Sequence, residues 1–314
     1  MSGSVRTVLV TGGAGFIGSN LVAALLNRGD RVRVLDNLFS GRRENLPASE
    51  RLDFVTGDIR DEHAVRAAVA GCDVVFHLAA SVGNKRSIDA PVEDAEINVI
   101  GTIRILEASR ASKVRRLVVS SSAGVFGELK TIPIHEDHPV EPDSPYGCTK
   151  LCEEKLSLAY GKLYGLDVVC LRYFNVFGRN QRFDAYGNVI PIFVFQTLRK
   201  LALTVHGDGE QTRDFIHVSD VVQANLRAAE SQGVSGAFNI GSGTRITINR
   251  LIGMIREVSG LDPVVQHGPS RPGDVRESLA DVSAARRAFA FEPGMGMRDG
   301  LADYLAWART EVAG

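Results

Sequence analysis

Tyr146 and Lys150 stand four residues apart in the stretch Tyr146-Gly147-Cys148-Thr149-Lys150. On a helix that spacing puts both side chains on one face. A free tyrosine, with a pKa of about 10, is a poor base at neutral pH, and a nearby lysine ammonium favours its phenolate. Bringing that pKa to about 7 takes roughly 4 kcal/mol of differential stabilisation, at about 1.4 kcal/mol per unit. The bland alternative is a surface helix with an incidental Tyr-x-x-x-Lys. A second group is Ser120-Ser121-Ser122, placed at the end of an expected strand, where ligands of open α/β sheets bind. A hydroxyl there can hydrogen-bond the same substrate oxygen as Tyr146, or it can be part of a polar turn.

A third group is Gly12-Gly13-Ala14-Gly15-Phe16-Ile17-Gly18, which reads as GxxGxxG or, from Gly13, as GxGxxG. Glycines let a backbone approach a pyrophosphate at a helix N-terminus, whose partial positive charge favours it. Asp36, at the end of the next apolar run, can accept from adenosine ribose hydroxyls. Its carboxylate repels a 2′-phosphate, which favours NAD over NADP, although Arg42 and Arg43 are placed to pair with such a phosphate. Local basic clusters at Arg42-Arg43, Lys85-Arg86 and Arg286-Arg287 otherwise read as solvated faces. His77, His206 and His217 read as structural.

These groups need elements to position them. Val8-Leu9-Val10 reads as a strand, Phe16 to Leu26 as a helix, and Val32 to Leu35 as a second strand ending at Asp36. Strand, glycine turn, helix and strand within about 30 residues form a βαβ unit. The rhythm continues with strands at 54–55, 74–76, 117–119 and 168–171, and helices at 64–70, 97–111 and 145–164. Near-continuous apolar strands alternating with helices predict a buried, doubly wound parallel α/β sheet of the Rossmann type. After Asn175 the rhythm breaks. Residues 176–191 read as a loop, 192–201 and 218–229 as helices, 205–211 as turn-rich and 237–240 as a strand. The expected organisation is a dinucleotide-binding unit over 1–175, returning at about 214–242, with 176–314 mainly forming a smaller, discontinuous substrate lobe.

Composition narrows the class. The chain has 314 residues, 44% hydrophobic and 23% charged, with 36 Lys+Arg against 37 Asp+Glu and a net charge of −1. Nothing in that balance advertises a nucleic-acid or membrane surface. Cys72, Cys148, Cys152 and Cys170 are too few for a disulfide scaffold, and Cys148 and Cys152 lack the further ligands of a zinc site, so no metal is expected. The N-terminal residues form no signal peptide and no run approaches a membrane span. The expectation is a reduced, cytoplasmic protein.

Taken together the motifs resemble the extended short-chain dehydrogenase/reductase superfamily, and within it the NAD-dependent nucleotide-sugar epimerase/dehydratase family. The matching pieces run in family order over nearly the whole chain: Thr11 to Gly18, Asp36-Asn37-Leu38, Gly57-Asp58-Ile59, His77-Leu78-Ala79-Ala80, Asn98-Val99-x-Gly101-Thr102, Ser121 to Gly127, Tyr146-x-x-x-Lys150, Leu171 to Gly178, Gly207-Asp208-Gly209, Arg213-Asp214-Phe215 and Arg271-Pro272-Gly273-Asp274. The nearest resemblance is to UDP-hexose 4-epimerases. It implies Tyr146 as general base and acid, Lys150 as the residue that holds the nicotinamide ribose and tunes Tyr146, and Ser122 as a partner of the sugar O4. For NAD it implies contacts from Gly12, Gly15, Phe16, Ile17 and Gly18, and from Asp36, Asn37, Ser40 and Gly41. Further contacts are implied at Asp58, Ile59, Leu78, Ala79 and Ala80, and at Asn98, Ser120 and Tyr173. Asn175, Val189, Arg213, Arg271 and Asp274 match positions that hold the nucleotide diphosphate; for each arginine the bland reading is a surface ion pair.

The implied chemistry moves hydride from sugar C4 to NAD and back to the other face of a transient 4-keto sugar. Family 4,6-dehydratases resemble Thr-Asp-Glu-Val-Tyr-Gly after the serine strand. This chain has Ser122-Ala123-Gly124-Val125-Phe126-Gly127, without either carboxylate, and the related decarboxylases keep a glutamate where Gly124 stands. A small residue at Ser278, where relatives place a bulky tyrosine, implies room for a 2-acetamido group. The stretch Asn175 to Gln181 resembles epimerases of N-acetylated sugars more than glucuronate epimerases. Lys85 or Arg86 can meet a sugar carboxylate, a phosphate or solvent. The expected substrates are UDP-GlcNAc/GalNAc or UDP-Glc/Gal. The alternatives are a UDP-uronic acid, another NAD-dependent nucleotide-sugar reaction such as net 4-keto reduction, or a non-catalytic dinucleotide-binding relative. The resemblance also implies a homodimer through helices matching 93–111 and 145–164.

Overall fold

The computed structural model describes residues 6–184, 187–270 and 275–313. Its first half runs β1 (Thr7–Thr11), α1 (Phe16–Asn27), β2 (Arg31–Asp36), β3 (Leu52–Thr56), α2 (Glu62–Val69) and β4 (Val74–His77). Then come α3 (Asn84–Asp89), α4 (Pro91–Ala95), a π-helical stretch Glu96–Gly101, α5 (Thr102–Ala111), β5 (Arg116–Ser122), α6 (Pro145–Tyr164) and β6 (Val168–Tyr173). The second half adds β7 (Asn175–Phe177), α7 (Val189–Leu198), β8 (Leu203–His206), β9 (Thr212–Arg213), β10 (Phe215–His217), α8 (Val218–Glu230) and β11 (Gly236–Ile240). It ends with β12 (Ile246–Thr247), α9 (Ile248–Ser259), β13 (Val265–Gly268), α10 (Ser283–Phe289) and α11 (Met297–Ala313).

Seven strands form one sheet in the order β11-β6-β5-β4-β1-β2-β3, and every pairing is parallel. Both faces are covered, which is why the central strands are apolar runs rather than alternating ones. Val8, Leu9 and Val10 of β1 and Val74, Val75 and Phe76 of β4 have no exposed surface. One face packs with α1, α8 and α10, and the other with α2, α5 and α6. The winding reverses between β1 and β4, so a crevice opens outside their C-terminal ends. This is the doubly wound α/β fold expected from the strand rhythm.

The second half returns to the sheet through α8 and β11, while a separate apolar cluster collects Phe193 of α7, Leu251 and Ile255 of α9, and Leu301, Tyr304 and Trp307 of α11. Three short strand pairs, β7–β10, β9–β12 and β8–β13, carry too few residues to show a period in the sequence. The loop expected over 176–191 begins inside β7 and ends inside α7. The helix expected over 97–111 is an α5 preceded by a π-helical turn. No helix among the described residues is long and apolar enough to cross a membrane. All four cysteines are free, and no group of three metal-ligating side chains forms among the described residues.

Candidate active site

The glycine turn between β1 and α1 is built by close approach. Gly12 has φ +66°, and a Cβ on it would lie 2.8 Å from Ala79 N and Cα. The turn after β1 is thereby pressed against the loop after β4. A Cβ on Gly18 would lie 2.1 Å from Gly12 O, so α1 can start tight on the turn. No side chain caps α1 and no acid stands in its first turn. Its leading N–H groups, at Phe16 and Ile17, therefore offer an anion site.

Asp36 is buried at the end of β2. Its Oδ2 accepts Ala14 N–H at 2.9 Å and its Oδ1 accepts Leu38 N–H at 2.8 Å. The carboxylate thus braces the glycine turn and keeps lone pairs for a diol. Beside it, Asn37 Nδ2 donates to Asp58 Oδ2 at 2.8 Å. Hydrogen bonds from Arg60 are the main cause that holds the Asp58 carboxyl down at about 2. Ser40 and Gly41 lie where the chain folds back over the turn: a Cβ on Gly41 would sit 2.9 Å from Ala14 C, and Arg42 N donates to Ala14 O at 3.0 Å. Arg43 does not project as a free cation but stacks on Phe54, 4.7 Å from its ring centre.

After β4, the N–H groups of Leu78 and Ala79 both donate to Thr11 Oγ1 at 3.2 Å, and Ala80 follows. Ile59 is buried beneath Gly101, where a Cβ would meet its Cδ1 at 2.5 Å. The Asn98 amide is spent inside the protein. It accepts Ser81 N–H at 2.8 Å and donates to Ser81 O, Asp94 and Thr149, so it fixes the loop that follows Ala80. Tyr173, at the end of β6, pairs its hydroxyl with Asn225, and burial raises that phenol well above its ordinary range.

Ser122 ends β5, and its Oγ accepts Gly124 N–H at 3.1 Å. α6 begins opposite. Ser144 caps it by accepting Gly147 N–H at 3.1 Å, Pro145 takes the first helical position, and Tyr146 N donates to Ser87 Oγ at 3.0 Å. A Cβ on Gly147 would lie 2.4 Å from Gly124 O, so only glycine lets the helix start this close to the serine turn. Tyr146, Lys150 and Ser122 meet here. Burial raises the Tyr146 phenol, while the Lys150 charge and a hydrogen bond with Ser122 pull it down without fully offsetting the rise. Lys150 is itself buried, with Nζ 2.6 Å from Glu153 Oε2 and 3.4 Å from Ser120 Oγ. Burial works against its ammonium, but Glu153 and Tyr146 hold its pKa above the ordinary value.

The histidines have framework contacts. His77 is fully buried, and desolvation, aided by Lys150, lowers its pKa to about 3. His217 caps α8 by accepting from Ser219 N, and His206 contacts Pro269 O at 3.2 Å.

The residues expected at the sugar diphosphate lie on the second-half elements. Asn175 Nδ2 donates to Asp214 O at 3.1 Å; Val189 opens α7. Arg213 borders a cavity of about 310 Å³ with Phe215, Ser242, Ile246 and Met295; neither Ser122 nor Tyr146 borders it. Ser278 is buried, two residues before Ala280, whose N–H is held by Asp214 at 3.1 Å. Arg271 and Asp274 lie outside the described residues. Lys85 pairs with Asp89 one turn on along α3. Glu153 and Ser87 carry no role in the sequence reading, and Asp214 enters it only within the Arg213-Asp214-Phe215 match. Of these Glu153 left a readable signal, because it follows Lys150 by three positions and so shares its helix face.

Comparison with known proteins gives the chain's family. Residues 8–241 match the model of the family described as NAD dependent epimerase/dehydratase. A UDP-glucose 4-epimerase of Mycolicibacterium smegmatis is 39% identical over 308 residues, covering 96% of this chain and 98% of that protein. The crystal structure of a Thermotoga maritima UDP-glucose 4-epimerase with UDP-glucose superposes with a TM-score of 0.93 at 36% identity, covering 98% of this chain and 100% of the other. A UDP-N-acetylglucosamine 4-epimerase of Methanobrevibacter ruminantium, solved with UDP-N-acetylmuramic acid, gives a TM-score of 0.94 at 35% identity, with coverage of 98% and 100%. A glycine turn at the sheet crevice, a half-buried serine and tyrosine over a buried lysine, and similarity along the whole chain lead to one assignment: this chain belongs to the NAD dependent epimerase/dehydratase family.

Proposed function

We propose that this chain epimerises a UDP-hexose at C4, with UDP-GlcNAc/GalNAc or UDP-Glc/Gal as substrate and NAD as resident cofactor. The uncapped start of α1 suits the pyrophosphate and Asp36 suits the adenosine ribose, with Asn37 and Asp58 beside it, while Tyr173, at the end of β6, is assigned to the opposite end of the cofactor. Lys150 would hold the nicotinamide ribose. NAD, when bound, supplies the acceptor and donor of the C4 hydride.

The chain's own residues handle the proton. The Tyr146 oxygen takes the proton of the 4-hydroxyl and returns it after the sugar has presented its other face. Ser122 Oγ already accepts from Gly124, so its own proton is available to the sugar O4 or to Tyr146. Lys150 stabilises the phenolate, and a cationic nicotinamide adds to the same pull, so Tyr146 is a better base with cofactor than without it. Arg213 and Asn175, with Val189 beside them, are assigned to the diphosphate side, together with Arg271 and Asp274.

The observation that carries this reading is the place of Gly124. A Cβ there would lie 3.3 Å from Ser122 Oγ and 3.6 Å from Tyr146 Cε1. A side chain at 124 would face the reacting centre, and this chain puts none there. Elimination of water from the sugar needs an additional acid and base at that place. Proton exchange at O4 needs only Tyr146 and Ser122.

A homodimer is part of the proposal. Ile100, Leu163 and Tyr164 are exposed on the helical segments that would meet, and light scattering of the purified protein tests it. Four free thiols suit a cytoplasmic home. The activity itself is tested by proton NMR of the protein with each UDP-sugar without added NAD. A second anomeric set growing to a constant ratio is expected, and its absence even with added NAD would overturn the proposal for that sugar.

A further inference from the structure

Two adjacent glutamates of α6 are buried and serve different cations. Glu154 takes Arg172, accepting Nη2 at 2.8 Å and Nε at 2.9 Å, and also accepts Ser121 Oγ at 2.8 Å. Glu153 takes Lys150 at 2.6 Å, with both side chains at most 2% exposed. The second oxygen of Glu153, Oε1, makes no hydrogen bond and faces His77 Nε2 at 3.9 Å. That histidine brings no charge. Thr11 Oγ1 already accepts two backbone N–H groups, so it donates to His77 Nδ1 at 2.8 Å. Thr102 Oγ1 donates to Asn98 O at 2.6 Å and so accepts from Nε2 at 3.0 Å. The pattern assigns the neutral tautomer with its proton on Nε2.

Other polar groups around Glu153 come from α4, β6 and β5. Asp94, from α4, accepts from Thr149 and Asn98 on Oδ2, has no partner on Oδ1, and like Glu154 adds carboxylate charge near Glu153. Burial holds the Cys170 thiol, from β6, protonated. Ser120, from β5, contacts Lys150. Lys150 is the cation that Glu153 meets, and Lys150 is also the charge expected to turn Tyr146 into a base.

We propose that Glu153 is a positioning residue for the proton transfer: it anchors Lys150 in the site and offsets part of its field at Tyr146, keeping the phenol less acidic than Lys150 alone would make it. This rests on Tyr146 being the proton acceptor. A buried carboxylate beside the ammonium contributes a field of opposite sign at the same oxygen, and low surrounding polarity lets both fields reach it. Burial pushes Glu153 up to about 7 against the pull of Lys150.

The test reads Tyr146 directly and needs no substrate. Near-UV tyrosinate absorbance of the intact, NAD-loaded protein is titrated with base, and the matching Tyr146→Phe protein is subtracted to isolate one phenol. The same pair is measured on a Glu153→Gln background, which preserves size and a hydrogen bond to Lys150. Glu153→Ala replaces it if the carboxamide does not fold. The Tyr146 midpoint is expected about one pH unit lower without the carboxylate, and Glu153→Asp is expected to restore at least half of that difference. The acid limb of kcat/KM should move the same way. An unmoved midpoint, or one moved toward alkali, in folded protein overturns the proposal. A moved midpoint without epimerisation of any UDP-hexose would leave the coupling standing and refute the proposed activity. Epimerisation with an unmoved midpoint would do the reverse.

Discussion

Ser122 Oγ accepts the backbone N–H of Gly124 at 3.1 Å, and this bond turns the hydroxyl's own proton toward Tyr146 and the space in front of it. Ser122→Ala removes that proton donor at O4. With one aligned donor lost at a reacting oxygen, kcat should fall roughly a hundredfold. The lost turn bond should cost only about 1 kcal/mol of stability. Steady-state kinetics and thermal unfolding on the same preparation check both. An equal fall in activity and collapse of Tm would assign Ser122 to structure alone.

Asp36 accepts one N–H on each oxygen, from Ala14 and Leu38. Asp36→Asn turns one acceptor into a donor that confronts a buried N–H, so stability should drop by about 1–3 kcal/mol. The charge that repels a 2′-phosphate disappears too. Calorimetric titration should show the preference for NAD over NADP falling by about tenfold or more. An unchanged preference would place the discrimination elsewhere, for example at Arg42.

His77 links pH to stability. Its pKa is about 3 in the fold against 6.5 for the free group. A depressed value means that the unfolded chain binds this proton first. The stability that neutral His77 contributes is complete above about 6.5 and is lost as the pH falls toward about 3. His77→Gln keeps a donor and an acceptor but cannot titrate. Its Tm, referred to its own value at pH 8, should decline less steeply between pH 6.5 and 4 than that of the natural protein. Parallel curves would refute the assignment.

Arg172 and Glu154 form a buried pair at 2.8 Å that ties β6 to α6, and Arg172 also lies over Phe126 at 4.9 Å. Arg172→Leu leaves Glu154 charged and uncompensated, which should cost about 3–5 kcal/mol in denaturant unfolding. The double change Arg172→Leu with Glu154→Leu should recover much of that loss. A double variant as unstable as the single would show that the strand–helix packing, not the charge, sets the effect.

The core of the fold was legible because buried parallel strands are apolar without interruption. Val8 to Val10, Val74 to Phe76 and Val168 to Leu171 announce themselves, and the glycines between β1 and α1 mark the crevice. Ser122, Tyr146 and Lys150 were legible because each needs a specific side chain at a fixed place on a strand end or helix face. Glu153 was harder to see: a glutamate on a helix is ordinarily solvated, and only the packing of α6 against β5 and β6 makes it a buried counter-ion. The pairs β8–β13 and β9–β12 were invisible because two to four residues show no period and their partners are distant in sequence. The π-helical stretch that carries Asn98 packs on α6 and is tied by Asn98 to Ser81 and Thr149, contacts distant in sequence that local composition does not show.

The central claim is proton exchange at O4 through Tyr146. Proton NMR of the purified protein with UDP-GlcNAc and, separately, UDP-Glc, without added NAD, tests it most directly when run beside Tyr146→Phe. The account predicts that the natural protein converts at least one sugar to a constant mixture of the two C4 epimers. Tyr146→Phe should stay folded with NAD bound and convert neither. Conversion that survives in Tyr146→Phe, or none by the natural protein after NAD is added, would contradict it.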